Sequence, residues 1–95
     1  MKVTINNHTP GEYLNRYRIT IEEDDIVQRW LYTVWSDVDK CSTSLCRKGW
    51  RSNKFKKRCS SWHVLEEHTL PIALPMDVAN PTKTITTFKK LIMLQ

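Results

Sequence analysis

The fold class of this chain depends on one apolar run, Ile26-Val27-Gln28-Arg29-Trp30-Leu31-Tyr32-Thr33-Val34-Trp35-Ser36-Asp37-Val38. Apolar residues recur in it at steps of four, three and four, the spacing of one helical face: Val27, Leu31, Val34 and Val38. The run is also rich in β-branched and aromatic residues, which favour a strand over Ile26–Trp35. We adopt a helix from about Asp25 to Val38 and keep the strand as the alternative.

The residues that precede this run support the helix. Glu22-Glu23-Asp24-Asp25 places four carboxylates directly before the first apolar residue. Side-chain capping and the helix dipole both favour acidic residues at a helix N-terminus. The four carboxylates are therefore interpreted as the start of the helix.

The two ends of the sequence predict a small α+β domain. Met1–Ile5 is predicted as a strand, Asn6–Gly11 as a turn and Tyr17–Ile21 as a half-buried strand, which together give an N-terminal β-hairpin. Asn80-Pro81 suits an N-cap followed by a first helical residue, so Thr82–Leu94 is predicted as a helix, although its threonines favour a strand. The expected architecture is one domain over residues 1–95, with this hairpin, one or two helices and a basic central loop.

Length and cysteine content limit the class of protein. The chain has 95 residues and a mass of 11.3 kDa, enough for one modest hydrophobic core. The N-terminus becomes polar after five residues, unlike a secretory signal, and no window has the roughly 20 apolar residues of a membrane span. Three cysteines cannot all pair within one chain. These features predict an intracellular, cytoplasmic protein with reduced thiols or metal ligands.

Positive charge is concentrated in the middle of the sequence. Lys40–Arg58 contains 8 of the 15 basic residues and no acidic residue, so this segment alone carries +8. The whole chain carries +5, so the remaining residues sum to −3. Such a segment attracts a polyanion, and each phosphate that it neutralises releases condensed counterions.

Aromatic residues accompany the basic ones and favour nucleic acid as the partner. Trp50 and Phe55 lie within the segment and Trp62 just beyond it, and aromatic rings between cations can stack on unpaired bases. We therefore predict a non-enzymatic nucleic-acid-binding protein. The predicted contact residues are Lys40, Arg47, Lys48, Trp50, Arg51, Lys54, Phe55, Lys56, Lys57 and Arg58.

Two other interpretations of the basic segment stay open. The same charges suit an acidic protein surface, as in a small modulator or inhibitor of a nucleic-acid-processing complex of the kind that phages and mobile elements encode. The segment can also be a solvated loop whose aromatic residues fix it to the core.

Cysteine and histidine spacing suggests a candidate metal site. Cys41 and Cys46 are separated by four residues, Cys59 follows after twelve more, and His63 lies near Cys59. Three thiolates and one imidazole can bind zinc tetrahedrally and would give the basic loop a fixed shape. The alternative is that the cysteines are small reduced apolar residues and His63 a half-exposed strand residue.

Patterns typical of enzymes are weak in this sequence. His63 and His68 are five residues apart, so neither a helix nor a strand would place both rings on one face. The contiguous carboxylates at residues 22–25 are typical of a cap rather than of a magnesium site, and two isolated glycines cannot form a phosphate-binding loop. We therefore expect no enzymatic activity.

Overall fold

The computed structural model describes the backbone of residues 1–53 and 58–95 and the side chains of residues 1–49 and 63–95. The described residues form five strands and one helix. In chain order these are β1 (Lys2–Thr9), β2 (Leu14–Glu23), β3 (Ile26–Asp37), β4 (Lys40–Asn53), β5 (Arg58–Leu70) and α1 (Pro81–Met93).

The strands form one antiparallel sheet in which each strand pairs with the next along the chain. The predicted α+β class is therefore wrong: the fold is mostly β-sheet, and its helix follows the last strand. β1 and β2 do pair, but as the first two of five strands in a continuous sheet.

The predicted helix over Asp25–Val38 is β3 instead, so the strand alternative is the correct one. Trp30, Tyr32 and Val34 are buried at every second position, which is the period of a strand. Asp24 has a φ of 51° in the two-residue turn between β2 and β3. Such turns require positive φ. Asp24 and Asp25 therefore form a β-turn, Glu22 and Glu23 end β2, and the four acidic residues do not cap a helix.

The prediction of a basic central loop is also wrong for residues 40–53 and 58, the part of this segment whose backbone the structure describes. Residues 40–53 belong to β4, Arg58 begins β5, and residues 54–57 lie outside the described range. The charges are compatible with a strand because neighbouring side chains alternate between the two faces of a sheet. Thr43 and Leu45 are buried in β4, and the polar Ser42 and Ser44, which alternate with them, are half-buried.

One face of the sheet, the helix-side face, carries the core. Tyr17 and Ile19 of β2 lie on it beside Trp30 and Tyr32 of β3, and Phe88 of α1 packs edge-on against Tyr32 with ring centroids 5.9 Å apart. α1 contacts both β1 and β5, the two edge strands. The sheet must therefore curve around the helix, which leaves the opposite face, here called the outer face, without a helix.

α1 confirms the prediction made from Asn80-Pro81. Asn80 is the N-cap, its side-chain oxygen accepts a hydrogen bond from the Lys83 amide at 3.2 Å, and Pro81 is the first helical residue. The described part of the chain contains no helix with the length and apolar character needed to cross a membrane.

The segment between β5 and α1 is fixed to the sheet by two buried side chains. The Tyr32 hydroxyl donates to the Leu74 carbonyl at 2.7 Å, and burial raises the pKa of this phenol well above its usual range. The Thr43 hydroxyl donates to the Ile72 carbonyl at 2.9 Å and accepts from the Leu74 amide at 2.7 Å. These bonds fix the path of the chain towards α1.

Replacing Thr43 with valine should lower the free energy of unfolding by about 2 kcal/mol, because the Leu74 amide and the Ile72 carbonyl both lose a buried partner. Urea denaturation measures the effect, with Thr33→Val on the outer face as the matched control. Equal changes in the two variants would contradict the structural role assigned to the Thr43 hydroxyl.

Candidate functional site

β4 divides the described part of the predicted basic segment between two faces. Arg47 lies opposite Trp30 and shares the helix-side face, whereas its neighbour Lys48 lies opposite Arg29 and points the other way. Lys40 is eight residues before Lys48 on the same strand, about 27 Å away at the rise of an extended chain. The structure thus keeps these three predicted contact residues apart. The others have no described side chain: Trp50, Arg51, Lys54, Phe55, Lys56, Lys57 and Arg58.

Arg47 already has partners within the protein. Its Nε lies 3.3 Å from Oε2 of Glu66, an ion-pair distance without the alignment of a hydrogen bond. The other oxygen of Glu66 lies 2.8 Å from Nε2 of His68. The Arg47 guanidinium and the Lys89 ammonium also lie over the Trp30 ring, 6.0 and 4.6 Å from its centroid. Arg47 therefore belongs to a cluster of interacting side chains on the helix-side face, next to α1.

The outer face brings together cations that are distant in the sequence. Lys48 of β4 lies directly opposite Arg29 of β3, and Arg29 lies opposite Thr20 of β2. Arg18 is two residues before Thr20 and so lies on the same face, diagonally across from Arg29. Arg18, Arg29 and Lys48 are here called the cationic row. The cationic row concentrates positive charge on the outer face, although like charges directly opposite each other disfavour a sheet.

An irregularity in β1 adds two amide side chains beside the cationic row. Ile5 pairs with Ile19 and Asn7 pairs with Arg18, so Asn6 is an extra residue in a β-bulge. Asn6 donates a hydrogen bond to the Thr20 hydroxyl on the outer face, and Asn7 lies on that face opposite Arg18. The next residue, His8, stacks on Tyr17 of the helix-side face at a centroid distance of 4.2 Å. The bulge therefore places two consecutive asparagines on one face, which a regular strand would not do.

The bulge and the cationic row line a half-open pocket of about 420 Å³, here called the bulge pocket. Its lining includes Asn6, Asn7, Arg18, Thr20, Arg29 and Lys48. None of the described residues that line it carries a carboxylate. It can accept an anion through three cationic side chains and form neutral hydrogen bonds through two amides.

Sequence reasoning missed most of this pocket, since only Lys48 was predicted. The alternation of Tyr17-Arg18-Ile19-Thr20-Ile21 predicted a half-buried strand and implies that Arg18 and Thr20 share the polar face. Arg29 could have been found only if the run Ile26–Trp35 had been interpreted as a strand. The β1 bulge leaves no pattern in the sequence from which its position can be predicted.

The predicted zinc ligands are not brought together where the structure describes them. Cys41 and Cys46 are five residues apart on β4, so they lie on opposite faces and about 17 Å apart. Cys41 is exposed and Cys46 is buried; burial, followed by the nearby Glu67 carboxylate, raises the pKa of the Cys46 thiol. His63 lies opposite Gly49, and the side chain of Cys59 is not among those that the structure describes. Across the described residues, no three His, Cys, Asp or Glu side chains cluster to hold a metal ion.

Comparison of the chain with known protein families, curated proteins and solved structures finds no match. The function must therefore be inferred from the bulge pocket and the charge around it.

Proposed function

We propose that this protein binds nucleic acid through its outer face and the adjoining β4–β5 hairpin, without catalysing a reaction. The observation that carries the proposal is the cationic row, in which Arg18, Arg29 and Lys48 from three strands line one pocket with no described carboxylate. Nucleic acid is the polyanion that supplies closely spaced phosphates to such a row.

The dimensions of the cationic row suit a phosphate backbone. Neighbouring strands are about 4.8 Å apart and Arg18 is offset by two residues, or about 7 Å, along its strand, so the row from Arg18 to Lys48 spans about 12 Å. Three cations over this distance can contact successive phosphates of one strand. Each contact releases condensed counterions and is independent of base identity.

The β4–β5 hairpin supports the same proposal because the residues that follow Lys48 in the sequence are also basic. The pairing of β3 with β4 ends at Arg29 and Lys48, whereas β4 and β5 stay paired from Gly49 opposite His63 to Asn53 opposite Arg58. Residues 49–58 contain five basic residues and no acidic one. Lys48 therefore connects the row on the sheet with the most basic part of the sequence. Trp50 and Phe55 in this part remain our predicted stacking residues.

Titration of fluorescently labelled oligonucleotides, followed by fluorescence anisotropy, tests the proposal. Three phosphate contacts on a single strand give a salt slope of about −2, so raising salt from about 50 to about 200 mM should weaken binding roughly 20-fold. Contacts from the hairpin would increase this factor.

Two results would contradict the proposal. The first is no binding of single- or double-stranded oligonucleotides at the lower salt concentration, which would favour the alternative of an acidic protein partner. The second is an affinity that does not change with salt, because phosphate contacts require counterion release.

A further inference from the structure

We infer that the bulge pocket holds one nucleotide of an unpaired strand, with its phosphate on the cationic row and its base edge at Asn6 and Asn7. The inference rests on the proposed function and deepens it: the preferred partner is single-stranded nucleic acid. Three features of the pocket support it, namely its size, its division into charged and neutral parts, and the position of the two amides.

The pocket has the size of a small-ligand site. Its volume of about 420 Å³ lies within the range of about 300 to 1,000 Å³ that small molecules and cofactors occupy. A single phosphate would leave much of this volume empty. The half-buried Leu31 also lines the pocket and offers an apolar surface that an inorganic anion would not use.

The charged side chains and the amide side chains of the pocket come from different strands. The cations come from β2, β3 and β4, whereas the two asparagine amides come from β1 at the sheet edge. A nucleotide has the same division, with a charged phosphate at one end and a neutral base at the other. The order of groups across the sheet therefore matches a ligand that lies perpendicular to the strands.

The amides suit a base that has no pairing partner. An asparagine side chain presents a hydrogen-bond donor and an acceptor side by side, which can contact the edge of an exposed base. Both asparagines are exposed, and Asn6 is oriented by its hydrogen bond to Thr20. In a duplex, the pairing edges of the bases are already occupied, so the amides could not use them.

NMR titration of the isotopically labelled full chain tests the inference with three probes: adenosine monophosphate, adenosine and inorganic phosphate. Adenosine monophosphate should shift the side-chain amide signals of Asn6 and Asn7 together with the Nε signal of Arg18. Inorganic phosphate should shift the signal of Arg18 and leave those of the two amides in place. Adenosine alone should bind more weakly than the monophosphate.

Replacement of Asn7 separates base recognition from phosphate binding. Asn7→Ala should weaken adenosine monophosphate about fivefold, the effect of losing one hydrogen bond, and should leave phosphate affinity unchanged. Asn15→Ala is the matched control, because Asn15 lies on the helix-side face beside His8. Neither change removes an apolar core residue, and circular dichroism verifies that both variants fold.

Competition by oligonucleotides completes the test. A single strand should displace adenosine monophosphate from the pocket, and a fully paired duplex of equal length should not. Equal displacement by both, or no effect of Asn7→Ala, would overturn the inference and leave a simple phosphate site. In either case, salt-dependent oligonucleotide binding would show that the proposed function itself stands.

Discussion

Replacement of Phe88 by alanine is expected to lower the free energy of unfolding by about 3 to 5 kcal/mol. Phe88 is fully buried and is the α1 side chain that packs against Tyr32, itself a fully buried residue of the central strand. Alanine would remove the whole ring and leave a cavity between helix and sheet. Small domains have total stabilities of about 5 to 15 kcal/mol, so the variant would lose a large part of its stability.

Urea denaturation monitored by circular dichroism measures this loss. Lys90→Ala is the control, since Lys90 is an exposed residue of the same helix and its replacement should change stability by no more than about 0.5 kcal/mol. A loss below about 1 kcal/mol for Phe88→Ala would mean that α1 does not complete the core in the way described.

Reversal of two charges in the cationic row should have the largest effect on binding. In the double variant Arg18→Glu and Lys48→Glu, two phosphate contacts are lost, which weakens single-strand binding at least roughly 25-fold at about 0.1 M salt. The salt slope should become shallower by about 1.4. Repulsion between the new carboxylates and the phosphates adds to the loss of affinity.

A matched double variant distinguishes this site from general charge attraction. Lys83→Glu with Lys90→Glu alters two exposed residues of α1, and either pair of reversals changes the formal charge by four, from +5 to +1. The α1 pair should retain most of the wild-type affinity, and similar losses in both double variants would refute a localised site. Misfolding is not expected in the first variant, because a carboxylate at position 48 would lie opposite Arg29 and form a favourable cross-strand pair. Thermal unfolding measures this directly.

The parts of the fold that sequence predicted correctly have a local physical cause. The N-cap at Asn80 and the following proline act within one helical turn, and they correctly located α1. Alternation in Tyr17–Ile21 likewise reflects a strand with one buried face, and Tyr17 and Ile19 are buried as expected. In each case neighbouring residues are sufficient to specify the structure.

β3 was mispredicted because its two faces are both partly apolar. Trp30, Tyr32 and Val34 face the core, while Leu31 and Trp35 on the opposite face are half-buried, which hides the period of two. Val27, Leu31, Val34 and Val38 fall at helical spacing by coincidence. For a central strand of this kind, β-branched and aromatic content is a better indicator than periodicity.

The candidate site could not be predicted as a whole because strand register creates it. Arg18, Arg29 and Lys48 are spread over 31 positions of the sequence and become neighbours only through the pairing of three strands. Charge density alone indicated Lys40–Arg58 as the binding segment. Within this segment, however, Arg47 and Lys48 lie on opposite faces of the sheet. Linear clustering of charge therefore suggests a class of partner, which stays a prediction, and does not locate the surface.

The position of α1 after all five strands affects how the chain folds on the ribosome. Each strand pairs with the one synthesised just before it, so the sheet can assemble while translation continues. The helix that covers its aromatic face is translated after all five strands. Until that moment the nascent polypeptide presents Trp30 and Tyr32 to its surroundings, so the interval before α1 emerges is the stage at which chaperone binding or self-association competes with folding.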